Sequence, residues 1–316
     1  MSPRPSIYSY SAEEVFERII AGDSLNCWFA GMLRDDLMES GDITTQSFVG
    51  AEAIVSASIG CRKSGVASGF RLLEHLEHPL LEELGGNWNV RVRDGEEISQ
   101  GQSLADITAD TQPLLALERT LLNFLGHLSG IATSTRQFVD AVSGTGARIC
   151  DTRKTSPAPG LRLLEKYAVG CGGGAIHRLG LYDAVLIKDN HLAAMMTQAN
   201  WQQRFIGNLE AVKKRHRPRF IEIEVDTLEQ LEQMLSLPGE PGGLMDIILL
   251  DNMGPAELRQ AVELRNCSVH SILLESSGGV SLEMVRDIAE TGVDRIAVGA
   301  ITHSAPWLDI GLDIEL

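Results

Sequence analysis

A chain of 316 residues with 44% hydrophobic content can bury a large core, and at this length two domains are expected. A formal net charge of −16 excludes a general nucleic-acid surface, because a phosphate-tracking face is built from excess Lys and Arg. No apolar run approaches the roughly 18 residues of a membrane span, and Met1-Ser2-Pro3-Arg4-Pro5 does not lead into the apolar stretch of a secretory signal. Five cysteines at wide spacings, with no Cys-x-x-Cys pair, exclude a disulfide scaffold or a cysteine-rich zinc site. A cytoplasmic protein with no nucleic-acid or membrane partner is expected.

In chain order, the first third reads as mixed α/β: a helix over 11–38, a strand over 51–59 and a helix over 70–84. A strand over 87–92, an Asp94-Gly95 turn and a strand over 103–107 follow. Pro113 opens a long helical stretch through Leu125. From about residue 147 the pattern changes to β-branched runs at 147–150, 184–187, 220–225, 246–250, 271–274 and 295–298. Amphipathic segments at 209–215, 228–235, 255–264 and 282–291 lie between them. Such alternation predicts parallel strands with helical crossovers. We prefer an incomplete (β/α) barrel of about six strands to a doubly wound sheet, since barrel strand ends converge on one face. The stretch 199–204 around Trp201 reads equally as a lid or an ordinary loop.

Within 148–191 stand seven Lys or Arg against four acids, a cationic island in an acidic chain that fits a small, highly anionic ligand. Arg153, Lys154, His177, Arg178 and Lys188 supply five cation-capable groups at or near ends of adjacent strands, with Arg119 a sixth. Arginine grips carboxylate or phosphate with a planar fork and lysine acts as a point charge. Singly, each also reads as a surface residue or a structural ion pair. Glu224 and Asp251, at ends of consecutive strands, offer hard oxygens for Mg²⁺ or for positive charge developing on a ribose ring. Helix capping or rim hydrogen bonding is the plainer alternative, and Glu222, on the same strand face as Glu224, is a rival for the role. Ser276-Ser277-Gly278-Gly279 and Val298-Gly299-Ala300 present small residues and backbone N–H groups suited to phosphate. There is no Gly-x-x-x-x-Gly-Lys-Ser/Thr loop, and Gly172-Gly173-Gly174 does not follow a strand in the dinucleotide pattern.

Taken together, Asp151-Thr152-Arg153-Lys154-Thr155, Pro159-Gly160-Leu161-Arg162, Glu165-Lys166-Tyr167-Ala168, Gly172-Gly173-Gly174 with His177-Arg178, and Leu186-Ile187-Lys188-Asp189-Asn190-His191 resemble the quinolinate phosphoribosyltransferase family. Gly41-Asp42-Ile43-Thr44-Thr45, Glu118-Arg119-Thr120, Leu249-Leu250-Asp251-Asn252-Met253 and Glu275-Ser276-Ser277-Gly278-Gly279 extend the likeness over nearly the whole chain, in the family's order. The resemblance implies a type II phosphoribosyltransferase-like fold. An N-terminal α/β sandwich would cover 1–130, joined by the tail 302–316, and an incomplete α/β barrel 131–301. It implies phosphoribosyl transfer from phosphoribosyl pyrophosphate to quinolinate with decarboxylation, giving nicotinate mononucleotide in NAD biosynthesis, with Mg²⁺. It also implies a homodimer with shared active sites.

By the same resemblance, Arg119 of the partner subunit, Arg153, Lys154, His177, Arg178 and Lys188 surround the quinolinate carboxylates. Ser277, Gly278 and Gly299 take the phosphoribosyl phosphate. Lys154, Glu224 and Asp251 are the catalytic set, and Glu224 and Asp251 the metal ligands. Two departures fall near the carboxylate pocket: Ser156-Pro157-Ala158 adds about two residues before Pro159, and Ile176 stands where Asn is frequent. The rivals are a paralogue of the same fold associated with molybdenum transport, and a non-catalytic barrel that binds a phosphorylated metabolite.

Overall fold

In the computed structural model, which describes residues 8–50, 53–197, 200–237 and 243–315, the strands in chain order are β1 (Ile54–Cys61), β2 (Gly65–Val66), β3 (Asn87–Val90), β4 (Glu97–Ile98), β5 (Ser103–Asp110) and β6 (Arg148–Cys150). They continue with β7 (Val185–Ile187), β8 (Ile221–Val225), β9 (Ile247–Asp251), β10 (Leu273–Ser277), β11 (Arg295–Ala297) and β12 (Ile310–Ile314). Residue contacts divide the chain into two units, one of Met1–Tyr10, Gln137–Arg153 and Ala175–Ala300, the other of Ser11–Arg136, Lys154–Gly174 and Ile301–Leu316. The helix Thr111–Ala141 runs through position 130, so the chain passes from one unit to the other inside a helix.

The first unit carries the six later strands, β6 to β11, as a parallel sheet in the order β6-β11-β10-β9-β8-β7. All six apolar runs form strands, each within three residues of its expected ends. The strands β8, β9 and β11 are buried almost throughout and β7 is half-buried, because helices such as Leu228–Leu235 and Pro255–Cys267 cover the sheet, as parallel sheets require. The largest shift is in β10, which continues to Ser277 and so takes Glu275 inside the sheet rather than beyond its end. Trp201 is a second correction: it opens the helix Trp201–His216, so 201–204 is not a loop, while residue 199 lies outside the described residues.

The second unit has an antiparallel sheet in the order β12-β1-β5-β3, with the short pair β2-β4 beside it in sequence. Two expected long helices are each broken in two. Gly22 and Asp23 separate Ala12–Ala21 from Ser24–Leu37. Pro79 divides 70–84 into Phe70–Leu73 and Pro79–Glu83, because the residue before a proline avoids the helical region and His78 is extended at φ −159°. Asp94 does more than turn the chain: its carboxylate accepts from the Phe70 backbone N–H and from the Tyr167 hydroxyl. Among the described residues no helix is long and apolar enough to cross a membrane.

A close approach in this unit sets a test of packing. A Cβ added at Gly130 would lie 2.2 Å from the Pro306 carbonyl oxygen, whereas at Gly31, inside the helix Ser24–Leu37, it would meet nothing within 4 Å. Gly130→Ala should therefore cost about 1–3 kcal/mol by overpacking, and Gly31→Ala should gain about 0.5–1 kcal/mol from helix propensity. Urea denaturation of both variants reads the contrast; equal effects of the same sign would contradict the packing.

Candidate active site

The loop after the Ala175–Ile176 segment is held one backbone N–H at a time. His177 N donates to Asp151 Oδ1 at 2.6 Å, Arg178 N to the His177 ring Nδ1 at 2.8 Å, and Leu179 N and Gly180 N to the two oxygens of Asp183 at 2.8 and 2.9 Å. Asp151 is in turn fixed at the end of β6 by the backbone bond from its N–H to the Ala175 carbonyl. Four consecutive donors with four assigned acceptors leave the segment little freedom, so Arg178 leaves the backbone in one direction.

Arg178 is 7% exposed, and its affinity for a proton is lowered by burial and then by the nearby positive charge of Arg153. Arg153 has a buried Nε with no hydrogen-bond partner. Among the described residues neither guanidinium is paired with a carboxylate. Two like charges in one partly buried place, with donor capacity unspent, form a site for an anion.

Opposite charge lies on β8 and β9. Glu224 Oε2 accepts from Lys188 Nζ at 2.5 Å, Lys188 standing directly after β7. Asp251 ends β9, its carboxylate accepting from the Asn252 side-chain amide at 2.6 Å and from the Ser277 hydroxyl. Burial raises the Asp251 pKa, and the negative charge of Glu224 raises it further. Gly278 is required where it stands: its φ is +105°, and a Cβ there would lie 2.2 Å from Asn252 Oδ1. Gly299 follows β11 by two residues, after Val298 whose N–H donates to the Cys150 carbonyl.

His177, Glu222, Glu275 and Arg295 form a separate buried group. His177 Nε2 lies 2.8 Å from Glu222 Oε2, and Arg295 Nε donates to Glu275 Oε2 at 2.6 Å. Burial raises the Glu222 pKa to about 7 and raises that of Glu275 as well. Burial works against the Arg295 charge, but Cys150, Glu275 and Glu222 outweigh it and hold the group more firmly protonated than usual. His177, Glu222 and Glu275 bring three possible ligand atoms within 4.8 Å of one another, but Arg295 already supplies the cation this group needs. His177 thus differs from expectation: the ring is buried and turned to Glu222, not presented with a nitrogen to spare. Glu222 differs likewise from a rim acid, being fully buried while Glu224 meets Lys188.

The first unit therefore brings together Arg153, Arg178, Lys188, Glu224, Asp251, Ser277, Gly278 and Gly299 in its own strand-end segments. Lys154 and Arg119 belong to the other unit. The Lys154 carbonyl accepts from the Thr302 hydroxyl, and Ser156, in the added stretch, donates through N–H and Oγ to the fully buried Glu165. Arg119 has a 67% exposed side chain, 3.9 Å from Glu118. Asp151, Asp183, Glu275 and Arg295 were not singled out from the sequence. The available signal was charge inside or beside apolar strand runs, which is kept only where it is paired.

The Glu222 shift has a sign that can be measured. A carboxyl whose pKa rises from 4.5 to about 7 on folding binds its proton more tightly when folded, so its penalty is absent below about 4.5 and grows as pH rises toward 7. Between about pH 5 and pH 8, the stability of the parent protein should fall relative to Glu222→Gln by on the order of 1–3 kcal/mol. Urea midpoints taken across that range check it, and parallel curves for the two proteins would contradict the shift.

Comparison with known proteins places the chain in a family. The family model described as quinolinate phosphoribosyl transferase, N-terminal domain, matches residues 42–129, and its C-terminal counterpart matches residues 131–313. A nicotinate-nucleotide pyrophosphorylase [carboxylating] of Mycobacterium leprae is 46% identical, covering 89% of this chain and 94% of that protein. A probable nicotinate-nucleotide pyrophosphorylase [carboxylating] of Bacillus subtilis is 37% identical over 88% and 89%. The crystal structure of nicotinate-nucleotide pyrophosphorylase from Ehrlichia chaffeensis superposes with a TM-score of 0.77 at 40% identity, covering 91% of this chain and 97% of that one. With both domain models matched in order and relatives aligned along nearly their full length, the chain belongs to the quinolinate phosphoribosyltransferase family.

Proposed function

We propose that the protein transfers phosphoribosyl from phosphoribosyl pyrophosphate to quinolinate with decarboxylation, giving nicotinate mononucleotide, carbon dioxide and pyrophosphate. One observation carries the reading: Arg153 and Arg178 form a partly buried positive pair, and among the described residues neither guanidinium makes a salt bridge to a carboxylate. A small acid with two carboxylates on adjacent ring atoms supplies the missing charge in the planar form that arginine binds through two bonds. The relatives' names point to the same reaction.

In this reading Arg153 and Arg178, with Lys188 and Lys154, hold and orient the two carboxylates, while Ser277, Gly278 and Gly299 accept the phosphate of the sugar. Glu224 and Asp251 face the ribose. The pyridine nitrogen forms a bond to the first ribose carbon as that carbon's bond to the pyrophosphate oxygen breaks, the electron pair leaving with the oxygen. The ribose carbon gains positive character, which the two carboxylates stabilise. The nitrogen is then quaternary. The bond from the adjacent ring carbon to its carboxylate breaks, its electron pair staying on the ring beside the positive nitrogen. Carbon dioxide departs and the ring carbon takes up a proton.

Mg²⁺ belongs to the same proposal, and the donor set fits it: two hard carboxylates from neighbouring strands, one of which has its pKa raised by burial and by the other. Glu224 and Asp251 would hold the ion, which when bound supplies charge neutralisation for the pyrophosphate oxygens. The proposal extends to a homodimer in which Arg119 of the partner subunit completes the carboxylate pocket, supported by the exposed side chain of Arg119. It also extends to a cytoplasmic location, supported by five free thiols.

Release of carbon dioxide from carboxyl-labelled quinolinate should require phosphoribosyl pyrophosphate. Arg178→Ala should lower kcat/KM by about a hundredfold or more while circular dichroism stays that of the parent. Near-parental turnover in a folded variant would remove Arg178 from the pocket, and no release by the parent would remove the substrate assignment. Shared sites can be tested by mixing two inactive variants, Arg119→Ala and Glu224→Gln. If subunits exchange freely, half the dimers are hybrids with one intact site of two, and the mixture should regain about a quarter of parental activity. Hybrids that form by mass spectrometry yet stay inactive would exclude sharing.

A further inference from the structure

One layer below Glu224 and Ser277 on the same strand faces, β8 and β10 carry Glu222 and Glu275, two residues nearer the strand starts. In barrel-like folds that layer is filled by branched apolar side chains. Here it is ionic and fully buried, with Arg295 of β11 bonded to Glu275 and, through Nη1, to the Ser9 hydroxyl at 2.9 Å. Charge so deep is costly unless it does something a hydrophobic layer could not. The layer meets the cationic loop through the His177 hydrogen bond, and the Glu222 charge also favours the nearby Arg178.

The proton on that ring can be located from the donors around it. The Arg178 backbone N–H can only donate, and it points at Nδ1 from 2.8 Å, so Nδ1 is the acceptor and carries no hydrogen. The ring proton is therefore on Nε2, where the Glu222 carboxylate lies 2.8 Å away, with Glu275 Oε1 at 3.6 Å as a second negative neighbour. Phe220 packs edge-on against the ring at 5.0 Å and 83°, which restrains it from turning. A histidine that gripped a carboxylate of the ligand would need a ring N–H aimed at that ligand, and both nitrogens are engaged within the protein.

We propose that Glu222, supported by Glu275 and Arg295, is a positioning residue that holds His177 in its Nε2–H form, and that His177 acts on the substrate through Arg178, whose backbone it fixes, rather than by touching the acid itself. This rests on Arg178 binding a carboxylate of quinolinate, as argued above. Without the Glu222 carboxyl oxygen to accept from Nε2–H at its present position, the ring is free to change tautomer. A hydrogen on Nδ1 then opposes the Arg178 N–H, and the guanidinium loses its aim while the phosphate and ribose groups keep theirs.

The test has two arms. In nitrogen-15 NMR of the full-length parent protein labelled at histidine, with the His177 signals assigned by comparison with His177→Gln, Nδ1 should resonate as an unprotonated and Nε2 as a protonated nitrogen. Saturating quinolinate should leave that pattern unchanged. In kinetics, Glu222→Gln should raise the KM for quinolinate by about tenfold, with the KM for phosphoribosyl pyrophosphate within about twofold of the parent value. A protonated Nδ1, or a tautomer or protonation change on adding quinolinate, overturns the proposal, and this arm needs no folded Glu222 variant. An unchanged KM for quinolinate in folded Glu222→Gln overturns it too. If the parent released no carbon dioxide from quinolinate, the reaction assignment would fail, whereas the tautomer measurement would still judge His177 by itself.

Discussion

Two guanidinium groups that repel each other must be kept together before any ligand arrives. Burial makes the Arg178 charge costly, and the nearby charge of Arg153 adds to that cost. Left to relax, a long side chain would swing to water, where its head is better solvated. What prevents this is the backbone beneath Arg178, with Asp151, the His177 ring and Asp183 taking successive N–H groups from 177 to 180. Tyr10 adds its hydroxyl to Asp183 at 3.0 Å, tying the early chain to the same loop. The energy stored in the positive pair is recovered when an anion binds, which is why the site favours ligands with more than one negative group.

The acidic side obeys a complementary rule. Glu224 is paired at short range with Lys188, but Asp251 retains the repulsion of Glu224, offset only in part by the Lys188 charge and the Ser277 hydroxyl, while its carboxylate also accepts from the Asn252 amide. A pair so arranged attracts positive charge, whether from a divalent ion or from a sugar carbon on the way to becoming a cation. The strands hold the two polarities in register: Asp251 lies opposite Ser277, Glu224 opposite Leu249, and Leu249 opposite Glu275. Gly278 permits the Asn252 turn to approach β10, so the acidic group and the small-residue segment share one piece of backbone geometry.

The strand-and-helix alternation after residue 147 was legible because the runs are short and apolar, the central ones β8 and β9 being buried on both faces, a pattern that depends on local composition alone. Helix breaks at Gly22 and Pro79 were less visible, since apolar spacing continues across them and only the backbone conformation changes. Within the site, residue type was readable and partnership was not. Arg178 and His177 are adjacent in sequence and equally buried, yet one faces an unpaired arginine and the other a buried glutamate. Glu222 and Glu224 share a strand face, and which of them meets Lys188 depends on how far β7 reaches beside β8, a relation between strands that spacing within one strand does not contain. Glu275 falls one residue beyond the expected run 271–274, while the strand itself runs to Ser277.

The buried ionic layer also bears on how the site tolerates change. Cys150, at the end of β6, is completely buried beside Arg295 and Glu275, and burial pushes its thiol up to about 12, so it is inert at neutral pH despite a nearby arginine. The cationic influence that would activate such a thiol is spent on Glu275 and Glu222 instead. An isolated Arg295 would disturb every titrating group around it, and an isolated pair of glutamates would take up protons until neutral. Together they form a nearly balanced group that presents one carboxyl oxygen to His177. The sharpness of the ring's orientation therefore depends on residues from three strands, and substitutions far from any ligand should act on substrate affinity through that hydrogen bond and through the Glu222 charge near Arg178.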